Sequence, residues 1–235
     1  MRGNRPDYCY LDDPYPGEED ILTSHDKSTN SAIIPGNKLY SLAEAWRSPD
    51  WPQWEKAAKY EYNQLLKMGT WKLVDKPLDA VPIANKWMFV KKKKKRNKAG
   101  QIVKYKACLV AKGCAQHPGY DYVETFSPVV CMETIRAILA LIPIKGLKIQ
   151  QMDIKGVYLN GILEEKVYMW QPEGFKDGTD QVCILVKTIY GLKQSGCEWN
   201  KEFNNEITSF GFHSLKSDPC VYIKWDTNGV SIVTI

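Results

Sequence analysis

The sequence lacks the cysteine spacing of a zinc site or of a disulfide framework. Its cysteines number seven, and no two of them form a C-x-x-C pair. Neither a structural zinc site nor a set of disulfides is therefore expected. Scattered thiols are typical of a reducing compartment, which favours the cytoplasm or the nucleus.

Long apolar segments are also missing. The N-terminal residues MRGNRPDYCYLDDP contain no apolar h-region, so a secretory signal is not expected. The longest apolar run, residues 137–144, is shorter than a membrane-crossing helix requires. The sequence therefore predicts no membrane insertion.

Acidic and basic residues are unevenly distributed. Residues 1–38 hold seven acids against four bases, within a chain whose formal net charge is +5. This segment is also rich in Pro and Gly, which predicts a disordered acidic tail without a core of its own. The remaining residues are therefore more basic than the whole chain, a weak indication of an anionic partner.

Helical and strand patterns alternate from residue 39 onward, which predicts an α+β fold. Ser41 and Glu44 form a capping-box pattern that opens a short helix, and apolar spacing predicts a longer helix over about 51–68. A long hairpin is expected from residues 84–93 and 101–113. The other expected elements are a helix over 132–142, a buried strand over 148–154, strands over 167–172 and 182–188, a helix within 191–210, and a hairpin of 218–225 with 230–235.

The last predicted strand, VSIVTI, ends at the last residue of the sequence. Five of its six residues are β-formers, which is typical of a central strand. From this we expect that the chain stops before its domain is complete.

A basic run lies at the expected hairpin tip. For such a run alone, a solvated loop is the simpler interpretation. Lys104, Lys106 and Lys112 return along one arm of the hairpin, and this favours contacts with phosphates. The candidate nucleic-acid-binding residues are Lys91, Lys92, Lys93, Lys94, Lys95, Arg96 and Lys98.

Asp153 is the candidate for cation chemistry. It follows the apolar-rich KIQQM at the expected end of a strand. A buried lone carboxylate is costly unless it is paired or binds a metal. Taken alone, Asp153 is better explained as the cap of the next turn. Tyr158 and the turn at Asn160-Gly161 follow closely, and together they favour a cation and nucleotide pocket.

Several longer segments occur in one order over most of residues 39–235. They are GTWKLVDKP (69–77), PIANKWMFVKKK (82–93), YKACLVAKGCAQHPGYDYVETFSPVV (105–130), ETIRAILAL (133–141), QMDIKGVYLNGILEEKVYMWQPEGF (151–175) and TIYGLKQSGCEWNKEF (188–203). In this order and spacing the sequence resembles the reverse transcriptase of copia-type LTR retroelements.

The resemblance implies a right-hand polymerase, with a fingers-like subdomain over 39–145 and a partial palm over 146–235. It implies an RNA-directed DNA polymerase, a nucleotidyltransferase that uses Mg²⁺, deoxynucleotides and a nucleic-acid template–primer. Asp153 would be the first metal carboxylate, the carbonyl of Ile154 a second ligand, and Tyr158 would lie under the sugar. The other implied nucleotide-binding residues are Lys106, Lys112, Tyr190, Gly191, Lys193 and Gln194.

The sequence also departs from that family. The aromatic-x-Asp-Asp turn, which carries two of the three catalytic carboxylates, should follow VSIVTI and is not in the sequence. Of the acids that could substitute, Glu164 and Glu165 fit solvated positions and Asp218 fits a turn. Cys108 and the pair Gly196-Cys197 stand where the family usually has arginine-containing patterns.

Four interpretations stay open. The chain is a polymerase fragment that is inactive alone, a polymerase completed by another chain, a non-enzymatic nucleic-acid-binding remnant, or a product that does not fold stably. The missing carboxylates favour the first, because one acid cannot hold a pair of divalent ions.

Overall fold

The structure is a computed structural model that describes residues 41–93, 102–227 and 229–235. The predicted acidic tail, residues 1–38, lies outside the described residues. The helices are α1 (Leu42–Arg47), α2 (Trp51–Lys67), α3 (Met132–Lys145) and α4 (Ser195–Ser209). The strands are β1 (Trp71–Val74), β2 (Asn85–Lys93), β3 (Ile102–Ala111), β4 (Tyr168–Met169), β5 (Val182–Leu185), β6 (His213–Ser214), β7 (Val221–Asp226) and β8 (Gly229–Thr234).

The first two helices follow their sequence signals. Ser41 and Glu44 make both hydrogen bonds of the capping box that opens α1. Helix α2 buries Trp54, Ala58 and Leu65, which lie on one face at helical spacing. The predicted helix over 51–68 is confirmed to within one residue.

Strands β2 and β3 form the predicted antiparallel hairpin. Successive side chains of a strand face opposite sides, and the inward set of this hairpin is Trp87, Phe89, Ala107, Leu109 and Ala111. Helix α2 covers that face, since the Trp54 ring lies edge-on to Tyr105 at 4.5 Å and to Phe89 at 5.5 Å between ring centroids. The main hydrophobic core joins this helix and hairpin to strands β1, β4 and β5 and to buried residues between positions 159 and 192.

Two further sheets complete the described fold. Strand β5 lies between β1 and β4, and β7 lies between β6 and β8, all in antiparallel pairs. The predicted hairpin of 218–225 with 230–235 is confirmed as β7 and β8. The mixture of helices and antiparallel sheets confirms the α+β class.

The prediction of a buried strand over 148–154 is wrong. These residues have no regular secondary structure, and Met152 is 81% exposed. A strand needs a neighbouring edge to pair its backbone groups, and within the described ranges no segment forms a ladder with 148–154. An apolar pattern does not supply that edge.

Helix α3 extends three residues beyond the predicted end at 142 and includes Pro143. It buries no side chain completely against the described residues. Ile135 and Ile142 are half-buried, whereas Leu139, predicted on the same face, is 47% exposed. In the described part of the chain, no helix combines the length and the apolar character needed to cross a membrane.

Candidate functional site

Tyr158 and Tyr190 form an aromatic pair at the centre of the candidate site. Their ring centroids lie 5.1 Å apart with an interplanar angle of 74°, an edge-on contact. Tyr158 lies on a short 3₁₀ turn, Val157–Asn160, and its carbonyl oxygen accepts a hydrogen bond from the Thr188 hydroxyl. Burial raises the pKa of both phenols above the ordinary value. The structure therefore brings together two predicted residues that are 32 positions apart in the sequence.

Asp153 lies close enough to Tyr190 to act on it electrostatically. Its side chain is exposed. Burial is the main cause of the raised pKa of Tyr190, and neighbouring acidic groups that include Cys108, Glu61 and Asp153 raise this pKa further.

The residues present do not fit a pair of divalent metal ions. Each ion requires several oxygen ligands, and within residues 41–93, 102–227 and 229–235 no group of three or more His, Cys, Asp or Glu side chains could hold a metal. Ile154, whose carbonyl was the predicted second ligand, has a 46% exposed side chain. Asp153 and Ile154 remain predicted ligands.

Asp218 is one of the acids that could substitute for a missing metal ligand, but its carboxylate accepts hydrogen bonds from backbone N–H groups. Its carboxylate accepts the N–H of Cys220 at 3.1 Å, which confirms the predicted turn role. It also accepts the N–H of Cys131 at 3.0 Å, directly before α3. The bond from Cys131 and one from the Thr134 side chain are the main reasons that the pKa of Asp218 lies below its ordinary value. Asp218 therefore joins α3 to the β6–β7–β8 sheet.

The end of β3, at Ala111, lies in close contact with the backbone of Tyr190 and Gly191. The N–H of Ala111 donates to the carbonyl of Tyr190 at 2.8 Å. Gly191 has a φ of +91°, and a Cβ there would lie 2.1 Å from the carbonyl oxygen of Ala111. Only glycine fits this conformation and this spacing. This contact holds the predicted residue Lys112, which is half-buried, next to the loop that carries Tyr190.

A buried amide network lies beside this contact. The Gln116 Nε2 donates to Gln194 Oε1 at 2.9 Å, and Gln116 Oε1 accepts the N–H of Lys193 at 2.9 Å. The Gln194 Nε2 donates to the carbonyl of Asp121 at 2.9 Å. Gln194, predicted to border the nucleotide, is fully buried. Its nearest exposed neighbour along the chain is Lys193.

Sequence reasoning missed Gln116, Asp121 and Tyr122. Their segment contains His-Pro-Gly, which indicates a loop but does not show which side chains of that loop turn inward. Tyr122 carries the contact that reaches the surface: its hydroxyl lies 3.3 Å from the Lys193 Nζ, and its ring centroid lies 5.1 Å from the same atom.

The basic hairpin is only partly available for binding. Lys91 pairs with Asp50 at 2.5 Å, and its Nζ lies 5.9 Å from the Trp54 ring centroid and 5.6 Å from that of Tyr105. Lys91 therefore stabilises the contact between α2 and the hairpin. Lys92 and Lys93 belong to β2, whereas the predicted tip residues Lys94, Lys95, Arg96 and Lys98 lie outside the described residues.

Lys106 and Cys108 share the face of β3 opposite to that of Ala107 and Leu109, because they are two residues apart. Cys108, the departure from the family pattern, is 7% exposed. Burial raises the pKa of Glu61 on α2, and the positive charge of Lys106 opposes that rise. Lys106 is thus half-buried near a carboxylate that partly compensates its charge.

The amino-acid sequence of the chain is similar to those of one protein family. The family model described as reverse transcriptase (RNA-dependent DNA polymerase) matches residues 68–235. The chain is 41% identical over 212 residues to a retrovirus-related Pol polyprotein from transposon TNT 1-94 of Nicotiana tabacum, covering 89% of this chain and 15% of that protein. It is 37% identical over 217 residues to the polyprotein from transposon RE1 of Arabidopsis thaliana, covering 86% and 15%.

A more distant relative comes from yeast. The truncated transposon Ty1-A Gag-Pol polyprotein of Saccharomyces cerevisiae is 32% identical over 167 residues, covering 69% of this chain and 13% of that protein. The chain thus spans about 15% of the length of the plant relatives that it matches. No solved structure matches the chain.

Proposed function

This chain belongs to the reverse transcriptase (RNA-dependent DNA polymerase) family of copia-type retrotransposon Pol polyproteins, and on that premise we propose that it forms the nucleotide-facing part of the polymerase domain. Residues 39–145 would serve as fingers and residues 146–235 as part of the palm. The observation that carries the proposal is the contact between Tyr158 and Tyr190, with a smaller electrostatic effect of Asp153 on Tyr190.

The reaction of such a domain is templated DNA synthesis. A primer 3′-hydroxyl attacks the α-phosphate of a deoxynucleotide, and pyrophosphate leaves. In this proposal the ring of Tyr158 lies against the sugar and disfavours a ribose 2′-hydroxyl. Its ring is half-buried and is packed edge-on against Tyr190, which fixes its position for this contact.

Lys106 and Lys112 would bind the triphosphate. Lys106 lies in the middle of β3, opposite Val90, and Lys112 directly follows the strand beside the contact with Tyr190 and Gly191. A fixed ammonium near a phosphate is worth more in a half-buried position than in bulk water. Glu61 limits this gain at Lys106, because it already neutralises part of the charge.

We further propose that a polypeptide of these 235 residues binds template–primer without extending it. Support comes from the ligand set: within the described ranges, Asp153 is joined by no group of acids that could hold a metal, and Asp218 is bound to backbone N–H groups. Binding without synthesis would come from cationic contacts with phosphates, which need no metal.

A binding titration tests this function. Fluorescence anisotropy with a labelled RNA–DNA template–primer should give a dissociation constant that rises with salt. A variant with Lys106→Ala and Lys112→Ala should keep this salt dependence, because in the proposal the two lysines contact the incoming triphosphate and not the template–primer. The same variant should bind a labelled deoxynucleoside triphosphate more weakly than the unmodified protein does.

Lys176→Ala is the matched control, because Lys176 is an exposed lysine in a loop outside the candidate site. Its binding of template–primer and of the triphosphate should equal that of the unmodified protein. Absence of template–primer binding at low salt, or triphosphate binding unchanged by the Lys106 and Lys112 substitutions, would contradict the proposal.

A further inference from the structure

The amide network around Gln116 is almost closed to solvent. Gln116 is 3% exposed, Gln194 is 0% exposed and Asp121 is 5% exposed. The Asp121 carboxylate accepts the N–H of His117 at 2.7 Å, and the N–H of Gln116 donates to the carbonyl of Gly113 at 3.0 Å. Buried polar groups with partners of this kind hold one arrangement, because every alternative leaves a donor or an acceptor unpaired.

This network holds the segment Lys193-Gln194 against the segment Asp121-Tyr122. On one side, Gln116 Oε1 accepts the N–H of Lys193. On the other side, Gln194 Nε2 donates to the carbonyl of Asp121, directly before Tyr122. The buried amides of Gln116 and Gln194 therefore hold the exposed Lys193 next to the half-buried Tyr122. In this position the Lys193 ammonium contacts both the hydroxyl and the ring of Tyr122.

The orientation of the Gln116 side-chain amide determines whether its bonds to Gln194 and to Lys193 can form together. Its amide uses the donor toward Gln194 and the acceptor toward Lys193 at the same time. Gln194 likewise accepts from Gln116 and donates to Asp121. Rotating either amide by half a turn would place two donors or two acceptors face to face. The network thus has a single satisfied arrangement.

The Lys193 ammonium is available for an anion. Among the described residues no carboxylate lies within ion-pair distance of it. Its contact with Tyr122 leaves further donors of the ammonium free to bind a phosphate oxygen, because an ammonium carries three. Cations next to aromatic rings are the usual elements of surfaces that bind single nucleic-acid strands.

We propose that Gln116 is a positioning residue that holds Lys193 beside Tyr122 as a phosphate contact for the bound nucleic-acid strand. The identity of the ligand rests on the proposed function, and the role of Gln116 is the new element. Gln116 touches no ligand itself. It acts through the backbone of Lys193 and the side chain of Gln194.

The test is a double-mutant cycle read by template–primer binding across a range of salt. Lys193→Ala should weaken binding by about tenfold at low salt. It should also reduce the salt slope by about 0.7 to 0.9, as expected when one phosphate no longer meets a cation. Gln116→Met, which has a similar volume and no charge, should reduce the slope by a similar amount. The double variant should match Lys193→Ala alone.

Gln171→Met is the matched control. Gln171 is also a buried glutamine with a network of its own, which joins it to Asp177, Thr179 and Gln181. Its substitution should lower stability without changing the salt slope. Should Gln116→Met not fold by circular dichroism, Gln116→Asn, which keeps the amide but is one methylene shorter, takes its place. Loss of folding in both would overturn the positioning role.

The outcomes separate this inference from the proposed function. If the unmodified protein binds and Lys193→Ala binds equally well, the Lys193 contact is wrong while the proposed function stands. If the effects of Gln116→Met and Lys193→Ala add in the double variant, Gln116 does not act through Lys193. If the unmodified protein does not bind template–primer, both proposals fail.

Discussion

Asp218 accepts a hydrogen bond from the backbone of Cys131 at 3.0 Å, although the two residues are 87 positions apart in the sequence. This bond lies at the N-terminus of α3, a helix that buries no side chain completely against the described residues. A carboxylate at a helix N-terminus also interacts favourably with the helix dipole. The position of α3 therefore depends strongly on one acid in the turn before β7.

Replacing that acid should release the helix in a pH-dependent manner. The pKa of Asp218 is lowered in the folded protein, so its stabilisation is present above the unfolded pKa and is lost as the pH falls through the folded pKa. Asp218→Asn should lower the melting temperature at pH 7, and the difference from the unmodified protein should shrink below about pH 4. Thermal melts by circular dichroism measure both.

Asp180→Asn, at an exposed loop position, is the control and should melt like the unmodified protein. A difference between Asp218→Asn and the unmodified protein that stays constant down to pH 2 would show that the ionised carboxylate is not what holds α3.

The close contact at Gly191 should tolerate no side chain. A methyl group there meets the carbonyl of Ala111 and also requires a positive φ. Gly191→Ala should lower the free energy of unfolding by about 2 to 4 kcal/mol, from overpacking and backbone strain together. Urea titration measures the loss.

Gly178→Ala separates the two causes. Gly178 has a φ of +86°, yet nothing lies within 4 Å of a Cβ added there. This control should cost about 1 kcal/mol, from backbone strain alone. Equal losses at the two positions would mean that the close contact with Ala111 does not matter.

Alkaline pH should destabilise the protein through Cys183. Burial, with a smaller contribution from Asp177, raises the pKa of this thiol to about 12. An unfolded thiol ionises near pH 8.5, so the unfolded state loses its proton first and stability falls as the pH rises above that value. The slope from this group is at most about 1.4 kcal/mol per pH unit.

Urea titrations between pH 8 and 11 measure this slope. Cys183→Ala should reduce it by up to about 1.4 kcal/mol per pH unit, whereas Val182→Ala, a neighbouring buried truncation without an ionisable group, should keep it. An unchanged slope in Cys183→Ala would assign the alkaline sensitivity to other groups.

Lys91 should matter for stability rather than for binding. Its ammonium is engaged by Asp50 and by two aromatic rings. Lys91→Met should lower the melting temperature and leave the salt dependence of template–primer binding unchanged. The matched variant Lys104→Met, at an exposed position on the same hairpin, should leave the melting temperature unchanged. A reduced salt slope of template–primer binding in Lys91→Met would show that Lys91 contacts a phosphate.

Local signals in the sequence predicted the elements that depend on neighbouring residues. The capping box at Ser41, the apolar spacing of α2 and the β-forming runs of the two hairpins are short-range patterns, and the structure has these elements. The predicted strand over 148–154 failed because a strand depends on an edge supplied by another segment. An apolar run carries no information about whether that edge is present.

In the candidate site, too, local motifs could be predicted from the sequence, whereas contacts between distant segments could not. Tyr158 and Tyr190 could be named from family-like motifs, and their contact follows once the chain folds. The partnership of Gln116 with Gln194 could not be predicted, because it joins residues 78 positions apart through a loop whose packing has no local signature. Similarly, a basic run does not reveal that Lys91 has an acidic partner, Asp50, directly before α2.

The most direct test is a primer-extension assay with the 235-residue polypeptide, an RNA–DNA template–primer, deoxynucleotides and Mg²⁺ or Mn²⁺. The account predicts salt-sensitive binding of the template–primer with no incorporation of nucleotides. Metal-dependent extension that Asp153→Asn abolishes would contradict it, since that result would require a complete set of metal ligands around Asp153.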